Sequence, residues 1–184
     1  MKRQPLRFFA SLAAGLLLAL LAGLLIHTGC NKSGGETNSP PADDPFAPTQ
    51  AQPKLPTIKL WLGAEELAAE MALTAQQERT GMMFRTNMAE TEGMIFVLPY
   101  TQRASFWMKN CYVPLSAAYI DPDGVIQEIH DLQPQNTNTV VATSDNIRFV
   151  LETPQGWFDR HHVRTGMTVR TEKGPLADTF RAQR

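Results

Sequence analysis

The feature that most narrows the fold is a four-residue turn, Asp121-Pro122-Asp123-Gly124, set between two apolar runs. Pro presets φ at one turn position, Asp accepts bonds from nearby amides, and Gly supplies the positive φ a reversal needs. Leu115 to Ile120 precedes the turn and Val125 to Leu132 follows it, so it joins the strands of a hairpin. A lone hairpin is barely stable in water and needs further strands. Thr57 to Leu62, Gly93 to Leu98, Ser105 to Met108, Ile147 to Glu152 and Met167 to Thr171 have the length and pattern to supply them. The run from Gly93 is expected to stop at Pro99, and Gln133 to Asp145 reads as a loop.

Helical signals are few. Thr74-Ala75-Gln76-Gln77 forms a capping box, which predicts a short helix from Ala75 to about Thr80 ending at Gly81. Trp157 to Val163 has room for one helical turn. Ala64 to Ala72 is helical by composition, but its length and its entry through Gly63 equally suit a strand paired with Thr57 to Leu62. The expected fold is mainly β: a compact antiparallel sandwich or barrel-like domain over residues 57–174 with one short helix, then a loose tail over 175–184.

A different kind of sequence precedes that domain. Lys2, Arg3 and Arg7 lead into an uncharged apolar run from Phe8 to Ile26, an export signal or a membrane anchor. Thr28-Gly29-Cys30 resembles the end of a bacterial lipobox, which implies cleavage before Cys30 and lipidation of its thiol. His27 departs from that pattern, and the alternative is a signal anchor left uncut. Either way the expected location is the cell envelope, with the membrane as a partner through residues 1–30. Residues 31–56, with six prolines among small polar residues, read as a disordered, semi-extended tether.

Charge removes one function class. Of 17 Lys and Arg, three belong to the N-terminal segment, which leaves 14 against 18 acidic residues and no basic run. Nucleic-acid binding needs a positive footprint, so no nucleic-acid partner is expected. Two cysteines, Cys30 and Cys111, make neither a disulfide framework nor a CxxC pair.

The domain resembles the bacterial and archaeal family known as domain of unknown function 192, from about Ile58 to Val169. Gly81-Met82-Met83-Phe84-Arg85 is similar to that family's Gly-Leu-Met-x-Arg step. Gly93-Met94-Ile95-Phe96, Phe106-Trp107-Met108-Lys109-Asn110, Pro114-Leu115, Ile120-Asp121, Gly124, Val150-Leu151-Glu152 and Gly156 complete the likeness. Cys111 stands where Thr is usual, Ser116 where Asp is usual and Met167 where Asp often follows Gly, which puts any carboxylate site at the last two positions in doubt. The resemblance implies an all-β, sandwich-like, often exported domain and favours strand for Ala64 to Ala72. It implies no activity.

Lys109, Asn110, Glu152 and Arg85 are the polar residues inside otherwise apolar motifs, and buried Lys or Glu is costly unless paired. One reading is a cleft for an anionic or polyhydroxylated ligand. The other is a structural Lys109–Glu152 pair that fixes strand register, with Trp107 in the core beside Lys109. Strand alternation puts Phe106 and Met108 on the opposite face. No cofactor or metal is expected: the methionines sit beside Leu, Phe and Trp as core filler, and His161-His162 lacks a third ligand at metal spacing. Cys111 has no base beside it and reads as a small buried residue. The expected function is a membrane-tethered envelope binding or accessory domain without catalysis. An envelope hydrolase or carbohydrate-active enzyme, for which Glu152, Asp121 and Asp123 are the available acids, and a purely structural domain are the alternatives.

Overall fold

A computed structural model describes residues 47–181. Its elements, in chain order, are β1 (Thr57–Leu62), β2 (Glu65–Ala72), α1 (Ala75–Thr80), β3 (Glu92–Gln102), β4 (Ser105–Phe106), β5 (Leu115–Ile120), β6 (Ile126–Leu132), β7 (Val140–Val141), β8 (Ile147–Pro154), α2 (Trp157–Arg160), β9 (Val169–Thr171), β10 (Gly174–Pro175) and α3 (Leu176–Thr179). The expectations for the signal segment 1–30 and for the tether as far as residue 46 lie outside the described residues.

The turn between β5 and β6 is built as its residues dictate. The Asp121 carboxylate accepts from the amides of Asp123 and Val125, each at 2.9 Å, and Gly124 takes a φ of 84°. Asp121 is therefore occupied by the turn. The strands form one eight-stranded sheet in the order β10-β9-β1-β2-β3-β8-β5-β6, with β4 and β7 as a separate two-stranded ribbon. The large sheet curls into a half-barrel. At one end its far strands meet, with Val125 bridging Thr168 and the amide of Val169 donating to the Gly124 carbonyl at 2.8 Å.

Two expectations about architecture are corrected here. Among the described residues the main sheet is a half-barrel, so the barrel-like form holds and the sandwich does not, and three short helices stand where one was expected. The pairing is not wholly antiparallel, because β2 and β3 run parallel with α1 in the crossover between them. Ala64 to Ala72 does pair as a strand with β1, since apolar partners across the hairpin outweigh its helical composition. The capping box is present as expected: the Gln77 amide donates to Thr74 Oγ1 at 3.2 Å, and Gln77 Oε1 accepts from the Thr74 amide at 3.1 Å.

Both faces of the central strands are covered, which explains why every residue of β5 is buried. One face carries Leu60, Leu67, Ile95, Ile120, Phe149 and Leu151, closed by Trp157, Phe158, Leu176 and Phe180. The other carries Met94, Phe96, Ala117, Tyr119 and Val150, closed by Met82, Met83, Phe106, Met108 and Cys111. Gly93 lets β3 pass between its neighbours: a Cβ there would lie 2.7 Å from a Leu67 methyl and 3.0 Å from the Glu152 carbonyl.

Three boundaries differ from the sequence reading. β3 continues through Pro99, because the strand bulges between Val97 and Gln102 and exposes Pro99 and Tyr100, so no ladder bond is lost there. The tail past Gly174 is packed, since Leu176 and Phe180 offer apolar surface that the curled sheet can bury. The last tether residues also dock: the Leu55 amide donates to Glu70 Oε2 at 2.7 Å, and Gln52 Nε2 donates to the carbonyls of Gln77 and Gly81 at 3.2 and 3.0 Å. A backbone amide next to a buried carboxylate is reason enough for that order.

Candidate functional site

The site begins with a carboxyl in the wrong surroundings. Glu152 lies near the C-terminal end of β8, opposite Met94 of β3 and Ala117 of β5, on the face that holds the methionines. It is 4% exposed, and its Oε2 has no hydrogen-bond partner among the described residues. Burial without a compensating charge pushes its acid up to about 8. Glu152 therefore keeps its proton at neutral pH.

Two loops close over it. The first runs from the end of α1 through Gly81 to Arg85, and the second from Phe106 through Cys111. They are joined backbone to backbone, the Phe84 amide donating to the Asn110 carbonyl at 2.7 Å. Both residues of that bond sit at positive φ, 62° for Phe84 and 59° for Asn110. Asn adopts that conformation readily, whereas a bulky Phe does so only where its surroundings hold it. Here the Cys111 amide donates to the Met108 carbonyl at 3.0 Å, and Gln135 donates to the Cys111 carbonyl through its amide and its Nε2, each at 3.2 Å.

Between these loops lies a two-level cleft. The inner chamber, about 30 Å³, is bounded by Glu152, Cys111, Met82, Met83, Phe96 and Phe106, with Glu78 and Arg79 of α1 and Trp107 at its edge. Burial pushes the Cys111 thiol up to about 12, the carboxyl of Glu152 adding to the shift, and burial also raises Glu78 above the usual carboxylate range. The outer groove, about 240 Å³, is lined by Trp107, Lys109, Asn110, Met83, Arg79 and the chain at Ala47 and Pro48. The ammonium of Lys109 lies over the Trp107 ring, 5.4 Å from its centroid, a cation–π contact at the groove's rim.

The residues expected to form a site divide accordingly. Lys109 and Asn110 share the outer groove, and Glu152 sits beneath it. The expected Lys109–Glu152 pair is not formed: Lys109 is exposed over Trp107, while Glu152 is buried at the chamber that Phe96 and Phe106 also line. Trp107 is corrected as well. It is 42% exposed and not core, although Phe106 and Met108 do share the buried face. A two-residue β4 ends before Trp107, so the ring has no sheet neighbour to bury it.

Arg85 has its own partner. Its guanidinium grips Glu70 on β2, Nη2 to Oε2 at 2.8 Å with a second bond from Nη1, their side chains 11% and 8% exposed. Burial pulls Glu70 upward, but Arg85 and the Leu55 amide hold it below the usual carboxylate range. Ser116 and His161 are engaged as well. Ser116 donates to Asp131 across β5 and β6 and accepts from the Gly156 amide at 2.8 Å, a strand lock where the family motif would carry Asp. His161 stacks on Trp157 at 4.3 Å and bonds Glu65 and Glu90 at 2.7 and 3.2 Å. Among the described residues no group of three or more His, Cys, Asp or Glu side chains converges as a metal site would.

Sequence patterning does not single out Glu78, Met82, Met83 or the exposed Trp107 as site residues. Glu78 is detectable in principle, as an acid on a six-residue helix that must lie against an apolar face.

A small, curled, mainly β domain with a buried carboxyl on a central strand, roofed by two loops bonded to each other, is the class this geometry defines. The chain belongs to the family domain of unknown function 192 (an uncharacterized ACR), whose model matches residues 59–171. It is similar to a candidate transcription regulator from Sinorhizobium meliloti of known crystal structure, at 28% identity and a TM-score of 0.62, covering 66% of this chain and 98% of that one. It is also similar to a protein of unknown function from Novosphingobium aromaticivorans, at 27% identity and a TM-score of 0.61, covering 65% of this chain and 90% of that one. No curated protein matches the chain.

Proposed function

We propose that this protein is a membrane-tethered accessory domain of the cell envelope that binds a small anionic or polyhydroxylated ligand in the outer groove. The carrying observation is the rim itself: an exposed Trp107 with the Lys109 ammonium over its ring, beside Asn110 at positive φ. A flat aromatic face beside a fixed cation suits a sugar acid or another ring or chain bearing a carboxylate. The volume of about 240 Å³ suits an occupant of that size. The role named for the Sinorhizobium protein is disfavoured for this chain, because residues 57–174 carry 14 acidic against 10 basic residues.

The test is a binding panel on the full chain in detergent, with glucuronate, citrate, inorganic phosphate and a neutral polyol, read by tryptophan fluorescence and by thermal shift. One of the carboxylates should bind, with affinity at least about tenfold weaker in Lys109→Met and with the fluorescence response lost in Trp107→Phe. A panel without any response, or equal affinity in Lys109→Met, would favour the purely structural reading. The envelope location has its own check: mass spectrometry of the membrane fraction should find a diacylglyceryl adduct on an N-terminal Cys30, and a mature chain that retains Met1 to Gly29 would refute it.

A hydrolase reading has one observation in its favour, two carboxyls, Glu78 and Glu152, at the same chamber. The chamber of about 30 Å³ holds a water-sized body and no substrate ring. General acid–base work needs each group within hydrogen-bond reach of the reacting atoms. Binding without turnover is therefore the better reading.

A further inference from the structure

Three sulfur-bearing residues line the inner chamber. Met82 and Met83 come from the loop after α1 and Cys111 from the second loop, residues about thirty positions apart in the chain that meet at one small cavity. All three are buried, at 2%, 4% and 5% exposure. Glu152 also lines the chamber, and its Oε2 is left without a partner. The chamber is too small for an organic ligand and about large enough for one water or one ion.

Donor chemistry selects the ion. One thiol and two thioethers are soft ligands, which favour a monovalent copper ion over zinc or a hard divalent cation. Charge balance points the same way. The Cys111 thiol loses its proton to solvent as the metal–sulfur bond forms, so Cu(I) plus thiolate is neutral. Beside Phe96 and Phe106 a divalent ion would need the Glu152 carboxyl ionised as well to reach neutrality, whereas Cu(I) needs the thiolate alone. No oxidant or reductant takes part. We propose that the inner chamber binds one Cu(I) ion through the Cys111 sulfur and the thioethers of Met82 and Met83, with the Glu152 carboxyl as the oxygen neighbour beneath. This site shares Met83, Arg79 and Trp107 with the outer groove but uses neither Lys109 nor Asn110, and it does not depend on the ligand proposed there.

The experiment is an anaerobic titration of the full chain in detergent with Cu(I), against a chromogenic Cu(I) chelator, repeated with Ag(I) as a redox-inert probe. Wild type should hold one ion per chain and release one proton. Cys111→Thr and Met82→Leu replace sulfur by residues of similar size that the family motif itself uses, so both should fold. Cys111→Thr should weaken binding about 100-fold or more and Met82→Leu about tenfold. Cys30→Ser, which removes the other thiol, should leave affinity unchanged. Native unfolding transitions in all variants establish that losses are local. Equal affinity in Cys111→Thr, loss of binding in Cys30→Ser instead, or competition by equimolar Zn(II) would each overturn the site. Lys109→Met should have no effect on Cu(I), and Cys111→Thr none on the carboxylate panel, so the two proposals fail separately.

Discussion

Glu152→Gln in the metal-free protein is the sharpest perturbation of this fold. The native state holds the Glu152 proton up to about pH 8, while an unfolded chain releases it near 4.5. Between those values the native state binds more protons than the unfolded state, so stability falls as pH rises. The contribution is complete below the lower value and lost above the upper one. The slope approaches about 1.4 kcal/mol per pH unit, which gives a loss of roughly 2–3 kcal/mol between pH 5 and pH 7 from this residue alone. Gln keeps the shape and cannot titrate. Its amide in an apolar site adds an offset of about 1–3 kcal/mol that does not vary with pH. The assay is urea unfolding of both proteins at half-unit pH steps from 5 to 8.5. The difference between the two curves isolates Glu152 from every other titrating group, and it should tilt steadily in favour of Gln as pH rises. Parallel curves would refute the reasoning, because they would mean that Glu152 is already ionised or compensated by a charge in the native state.

Two further outcomes follow from the same arrangement. Arg85→Met should cost about 3–5 kcal/mol at pH 7 by leaving Glu70 as an unpaired buried charge, while the double variant with Glu70→Leu recovers much of that loss; additive single effects by urea unfolding would deny the pair. Because Glu70 is held below the usual carboxylate range, the pair's contribution is present above that range and disappears on acidification, so the penalty should shrink towards pH 3. A chain that starts at Thr57 should melt lower than one that starts at Ala47, by the equivalent of about 1–3 kcal/mol, because it lacks the Leu55 and Gln52 bonds; equal midpoints would mean those contacts contribute nothing.

Local structure was legible wherever a residue acts on its own backbone. The Asp121 turn and the Thr74 capping box depend on atoms within a few residues, and both are built as their sequences require. What the sequence concealed is set by contacts between distant segments. Composition could not tell that Ala64 to Ala72 has β1 beside it, nor that β2 and β3 run parallel, since a crossover is a property of the whole sheet. The site shows the same division. Glu152 stands out as an acid ending an apolar strand, and Lys109 and Asn110 stand out within Trp-Met-Lys-Asn. Which of them pair is decided by how the loops cross: the second loop carries Lys109 outward over Trp107 and leaves Glu152 alone. Linear spacing also scattered Met82, Met83 and Cys111, which only the folded loops bring to one cavity.

The way the curled sheet ends has a consequence for crowding. A sheet edge is a row of unspent amides and carbonyls that invites a neighbouring chain. Here one border is β10, two residues long, and its second residue, Pro175, has no amide proton to offer. The opposite border, β6, presents Glu128, His130 and Asp131, and its first residue is already bonded to the Met167 carbonyl at 2.9 Å. Glu128 further holds the passing loop through the amides of Thr143 and Ser144, at 2.8 and 3.1 Å. Neither border is a template for strand addition. Copies of this domain packed side by side at high local density would thus have little to zip together, and a crowded layer should remain a population of separate molecules.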